Sequence, residues 1–122
     1  MTDILSEIKA ILMDILDIER QDISGETYLI RDLGAESIDL LELAVSLNSK
    51  FKIEINDDEI YLKQLRFYIN EANEQNHDAA QSLSEKYPFL SDERIAEILK
   101  DIEEGPVLKV KDLISYVNGR HK

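Results

Sequence analysis

The sequence predicts an all-α fold, a bundle of amphipathic helices. Three stretches carry that expectation. Apolar residues return at i, i+3, i+4 and i+7 spacing over residues 3–16, over Ser37 to Lys50, and over Ser91 to Ile102. That period is the mark of a helix with one buried stripe.

Taken in order, Ile4, Leu5, Ile8, Ile11, Leu12, Ile15 and Leu16 form the stripe of the first helix. Thr2 can cap its start, and Asp3 and Glu7 suit the positive end of its dipole. Residues 17–35 lose this period and hold Asp22, Ser24, Gly25 and Asp32, so they read as a long ordered loop. Loops of that length are uncommon unless functional or pinned to a core. The expected pins are Ile18, Ile23, Tyr28, Leu29, Ile30 and Leu33, and a turn of helix can be accommodated among them.

The second helix is expected from about Ser37 to Lys50, with Ile38, Leu41, Ala44, Val45 and Leu47 facing inward and Leu40, Leu43 and Phe51 widening that face. Glu36, Asp39 and Glu42 ring its opening turns, where the dipole favours negative charge. Asn56 or Asp57 can cap a short helix with Glu59 in its first turn. At the far end, residues 107–119 read as the last helix. Val110, Leu113, Ile114 and Val117 turn inward, and Gly119 is expected to stop it.

Residues 61–106 separate the short helix from the last one and are not linker-like. Tyr61, Leu62, Leu65, Phe67, Tyr68, Ile69 and Ala72 fall at helical spacing. Ala79, Ala80 and Leu83 either continue that helix or begin another, with the weak point between Glu71 and Asp78. Pro88 breaks the pattern, and Ser91 caps a helix whose stripe is Ile95, Ile98, Leu99 and Ile102. Gly105-Pro106 closes it. The expectation is one domain over residues 1–122, in which the stretch 61–106 extends the bundle or adds a partner-specific surface. The alternative is that it deepens an apolar cavity.

Composition narrows the classes of function. A chain of 122 residues with 43% hydrophobic content can bury one real core. The absence of cysteine excludes disulfides and thiolate metal sites and points to a cytosolic rather than a secreted setting. The first residues lack the pattern of a signal peptide, and no segment reaches the ~20 apolar residues of a membrane-spanning helix. The formal net charge is −12. Residues 1–60 hold 5 basic and 15 acidic side chains, net −10, while residues 61–122 hold 9 and 11, net −2. Such a field repels nucleic acid and anionic membranes and draws basic protein surfaces.

The stretch that everything else is arranged around is Asp32-Leu33-Gly34-Ala35-Glu36-Ser37-Ile38-Asp39-Leu40-Leu41-Glu42-Leu43. It sets one hydroxyl, Ser37, where a glycine-bearing loop turns into a helix. Helix N-termini favour a phosphodiester through their N–H groups and dipole. A lone serine before a helix is more often only a cap. Here the whole stretch, followed by Phe51-Lys52-Ile53-Glu54-Ile55-Asn56-Asp57-Asp58-Glu59 and a last helix with Ile114-Ser115-Tyr116-Val117-Asn118-Gly119, closely resembles the acyl carrier protein family.

That resemblance covers roughly residues 1–60 and 107–119. It implies an acyl-carrier-like four-helix bundle, here extended by inserted helices. By the same resemblance, Ser37 matches the serine that carries covalent 4′-phosphopantetheine, with Glu36 where aspartate is usual and Ile38 where leucine is usual. The implied arm holds acyl intermediates as thioesters and delivers them to lipid or fatty-acid biosynthetic enzymes. The implied partners are a phosphopantetheinyl transferase and acyl-transferring and acyl-modifying enzymes with basic patches. The expected docking residues are Glu36, Asp39, Leu40, Leu41, Glu42 and Glu59. A cytoplasmic monomer without stable membrane insertion is expected. The alternatives are an aminoacyl, peptidyl or polyketide carrier, or an unmodified helical adaptor.

No catalytic residue is expected. The two histidines, His77 and His121, lie outside the serine's stretch, and no base with an orienting partner is recognisable. His121 falls in the C-terminal tail. Phosphate-cradling glycine loops are absent, and the acidic runs lack calcium-loop spacing, so no metal is expected.

Overall fold

In a computed structural model of the chain, residues 3–19 and 22–120 are described. Among these residues there is no strand, only an isolated antiparallel bridge between Tyr28 and Lys109. The helices are α1 (Ile4–Leu16), α2 (Ser37–Phe51), α3 (Asp57–Ile60), α4 (Leu65–Glu74), α5 (Ala79–Lys86), α6 (Asp92–Asp101) and α7 (Val110–Arg120), with a 3-10 turn at Ile102–Glu104. Thr2 and His121 lie outside the described residues.

The chain divides into two units: Met1–Ile55 with Leu108–Lys122, and Asn56–Val107. In the first, α1 packs against both α2 and α7. Its core is Ile8 and Leu12 of α1, Leu43 and Leu47 of α2, and Val110, Leu113, Tyr116 and Val117 of α7. α1 ends on Asp17 in a left-handed conformation, whose N–H returns to the last carbonyls. α2 ends the same way at Lys52 (φ 57°), and Asn48 Nδ2 donates to Ile53 O at 2.6 Å.

The face that α2 buries differs from the expected one. Leu43, Ala44, Leu47 and Phe51 are buried and Leu40 is half-buried, while Ile38, Leu41 and Val45 are 62%, 58% and 70% exposed. The helix carries two apolar stripes at helical spacing, and periodicity alone does not say which one packs. A second difference concerns Gly119, which lies inside α7 rather than ending it. Ile30, expected as a loop pin, is exposed, whereas Leu29 is fully buried and Ile23 nearly so.

The second unit is held by α5, which touches both α4 and α6. Leu65, Ala72, Leu83, Tyr87, Ile95 and Ile98 are buried in it. The helical spacing from Tyr61 predicts an earlier helix start than the structure has. Leu62 adopts φ +55° and closes α3 instead, its side chain only 5% exposed. A left-handed backbone costs an L-residue ~1–2 kcal/mol, and burying a leucine returns ~1.5–3 kcal/mol, so burial decides.

The caps explain the remaining boundaries. Asn56 Oδ1 accepts the Glu59 N–H, Asp78 Oδ1 accepts the Ala80 N–H and Ser91 Oγ accepts the Arg94 N–H, each at 3.1 Å. Asp78 therefore begins a separate helix after the break at residues 75–77. Gly105, at φ +132°, turns the chain beyond the 3-10 turn as only glycine readily does. Arg94 is buried in this unit and donates from Nη2 to Val107 O at 2.7 Å.

An ion cluster ties the loop before α2 to the start of α7. Glu26 accepts from Lys109 Nζ at 2.8 Å and Lys111 Nζ at 3.0 Å. These hydrogen bonds draw its carboxyl from the usual 4.5 down to about 2. A depressed folded-state value means the stabilisation is complete above pH 4.5 and is lost as pH falls toward 2. Because the carboxylate is largely exposed, Glu26→Gln is expected to cost no more than ~1 kcal/mol at pH 7. In acid titrations followed by circular dichroism, the variant should lose less stability than the parent between those two pH values.

Candidate functional site

The approach to α2 is built by backbone pairing. Leu29 N–H donates to Leu108 O (3.1 Å), Val110 N–H to Thr27 O (3.0 Å) and Lys111 N–H to Gly25 O (2.9 Å). The Tyr28 ring has two cations over it, the Arg31 guanidinium at 4.3 Å and the Lys109 ammonium at 4.9 Å from its centre. Asp32 Oδ2 accepts the Tyr28 N–H at 2.9 Å. Asp32 and Gly34 then donate to the carbonyls of Tyr28 and Ile30, which makes a turn of helical hydrogen bonding within the loop.

Gly34 adopts φ +68°, and a side chain there would meet no heavy atom within 4 Å. The glycine is required by the backbone, and the space around it is open. Ala35 is buried, Glu36 is exposed, and Ser37 is the exposed first residue of α2. Asp39 Oδ2 accepts the Glu36 N–H at 2.8 Å, and the Glu36 carboxylate reaches back to the Asp39 N–H. This reciprocal capping box sets where the helix begins, immediately before Ser37.

Comparison with known proteins addresses this same segment. Residues 6–64 match the model of the phosphopantetheine attachment site. The chain is 38% identical over 56 residues to the acyl carrier protein of Wolinella succinogenes, spanning 46% of this chain and 74% of that protein. It is 38% identical over 53 residues to that of Nitratidesulfovibrio vulgaris (43% and 70%), and 37% identical over 57 residues to that of Helicobacter hepaticus (47% and 75%). The chain belongs to the acyl carrier protein family. As such it is a carrier rather than an enzyme, with a covalent 4′-phosphopantetheine group, working with a phosphopantetheinyl transferase and acyl-handling enzymes.

The residues present fit that group. An acyl carrier needs a hydroxyl open to another enzyme, and Ser37 is exposed at the end of a long helix next to an uncrowded glycine. The expected docking residues divide in the structure. Glu36, Leu41 and Glu42 are exposed, Asp39 is half-buried within the capping box, and Leu40 is half-buried. Glu59 lies on α3, in the second unit.

Ile38 and Val45, expected in the core, instead join Leu41 in an exposed apolar stripe on the helix of Ser37. Large exposed apolar residues gathered on one face mark contact surfaces more often than isolated ones do. A second apolar register on α2, in excess of what one core contact needs, is the sequence signal that could have revealed this stripe. No helix among the described residues is long and apolar enough to cross a membrane, and none of their side chains forms a metal-binding group.

Asp39→Ala removes the acceptor for the Glu36 N–H. The expected cost is ~0.5–2 kcal/mol, as for other lost caps, read as a lowered melting temperature. Asp39→Asn, which keeps an acceptor oxygen, should recover most of it.

Proposed function

We propose that Ser37 is the attachment point of the phosphopantetheine arm and that this carrier delivers acyl intermediates to enzymes of lipid or fatty-acid biosynthesis. The exposure of Ser37 at the first position of α2, inside the span that matches the attachment-site model, supports this reading most directly. When bound, the group supplies a terminal thiol that can hold an acyl chain as a thioester. Ser37 contributes the hydroxyl oxygen that joins the phosphate. Gly34 and Ala35 keep the approach clear, and the capping box holds the serine at a fixed place on the helix.

Docking in this proposal combines charge with apolar contact. Glu36, Asp39, Glu42 and Glu59 attract basic patches, and Ile38, Leu41 and Val45 supply a surface to bury. Leu40, half-buried, contributes less contact than Leu41. The inserted residues 61–106 extend a single carrier domain and add surface for a dedicated partner. A cytoplasmic monomer is the setting that suits a carrier visiting several enzymes.

Two measurements test this. Incubation with coenzyme A and a phosphopantetheinyl transferase should add the mass of one phosphopantetheine, and Ser37→Ala should abolish the gain. Persistence of the gain in that variant would move the site elsewhere. For docking, Glu42→Lys should lower the transferase kcat/KM about tenfold at low salt, with the effect shrinking at high salt. Leu41→Ser should lower it at either ionic strength, while leaving the melting temperature nearly unchanged.

A further inference from the structure

The segment that leads into Ser37 is hydrogen-bonded along its whole length. Asp32 and Leu33 N–H both donate to Tyr28 O (3.1 and 3.2 Å), Gly34 N–H to Ile30 O (3.0 Å) and Ala35 N–H to Leu29 O (3.1 Å). Glu36 N–H donates to Asp39 Oδ2 at 2.8 Å. Every N–H from residue 32 to residue 36 therefore has an acceptor, and the chain arrives at Ser37 in a set conformation.

These bonds converge on Tyr28 and Leu29, which are themselves held in different ways. Leu29 is buried and donates to Leu108 O. Tyr28 is half-buried, accepts from Asp32 and Leu33, and donates its own N–H to Asp32 Oδ2. Its side chain is held by charge. The Arg31 guanidinium lies 4.3 Å and the Lys109 ammonium 4.9 Å from the centre of the ring. Arg31 belongs to the same loop, whereas Lys109 belongs to the residues that open α7, so one ring fastens the loop to a remote part of the chain. Two cations this close repel each other. The negative face of the ring offsets the repulsion, and Glu26 offsets it further at Lys109.

We propose that Tyr28 is a positioning residue for the modification of Ser37. The ring, with Arg31 and Lys109 on it, keeps residues 32–36 in the conformation that leaves the hydroxyl open to a transferase. The inference rests on the reading that Ser37 is the attachment point. A loop that opens part of the time leaves only a fraction of molecules ready to bind, and the apparent affinity falls by that fraction. The chemistry of the bound serine is the same, so losing the ring raises the transferase KM and leaves kcat alone.

The experiment compares the full chain with Tyr28→Leu and Tyr28→Phe by two readouts. Amide hydrogen exchange at Gly34, Ala35 and Glu36, followed by nitrogen-15 NMR on unmodified protein, should be about tenfold faster in Tyr28→Leu. In Tyr28→Phe, which keeps the ring, it should stay near the parent rate. The transferase KM should rise about twofold in Tyr28→Leu at unchanged kcat, and return to the parent value in Tyr28→Phe. Val117→Ala truncates a fully buried side chain of α7 and is the control for lost stability. It should lower the melting temperature and leave both readouts at parent values.

If Tyr28→Leu does not fold, Lys109→Gln and Glu26→Gln decide the matter. Both remove the Lys109–Glu26 ion pair, but only the first takes a cation from the ring. Lys109→Gln should therefore speed the same exchange about threefold and Glu26→Gln should not. Unchanged exchange in Tyr28→Leu, equally fast exchange in Tyr28→Phe, or faster exchange with an unchanged KM overturns the proposal. The exchange readout uses unmodified protein, so the mass gain of Ser37→Ala tests the attachment reading separately.

Discussion

The structure depends on the pairing of the loop before α2 with the residues that open α7. A long loop has many backbone angles to fix, at ~1–2 kcal/mol of entropy per residue. Complete burial of Leu29 and the backbone hydrogen bonds from residues 25–29 to residues 108–111 offset that cost. Two cations on the Tyr28 ring and two lysines on Glu26 close the joint from the outside. The local consequence is at Gly34 and Ala35, whose conformations follow from that anchorage. The functional consequence is at Ser37, which stands exposed on the first turn of α2.

α2 shows how one helix can serve two purposes. The stripe through Leu43, Ala44, Leu47 and Phe51 is buried, and the stripe through Ile38, Leu41 and Val45 stays outside. Leaving three large apolar residues in water brings no stability to the free protein. Such an arrangement makes sense for a surface that is buried only on meeting a partner, with acidic residues at its start to steer the encounter.

The inserted unit follows the same rules with its own parts. Asp78 and Ser91 begin α5 and α6, Leu62 and Gly105 turn the chain, and a core from Leu65 to Ile102 offsets the entropy of ordering. Arg94 lies on the stripe of Ile98 and Ile102 and directs its guanidinium to Val107 O, which leaves that buried carbonyl satisfied.

Much of this was legible in the sequence because helices are local. Apolar period, Asn56 and Ser91 as caps, and Gly105-Pro106 as a stop depend on residues within a turn or two of each other. The attachment-site stretch was legible for the same reason: a loop, a glycine and a serine in a short run. Tertiary structure decided what periodicity leaves degenerate, namely which of two stripes on α2 packs, that Leu62 takes a left-handed backbone, and that α7 runs through Gly119. It alone joined Glu26 to Lys109 and Lys111, and buried the Tyr87 hydroxyl and Arg94, because those neighbours are distant in the chain and meet only through folding.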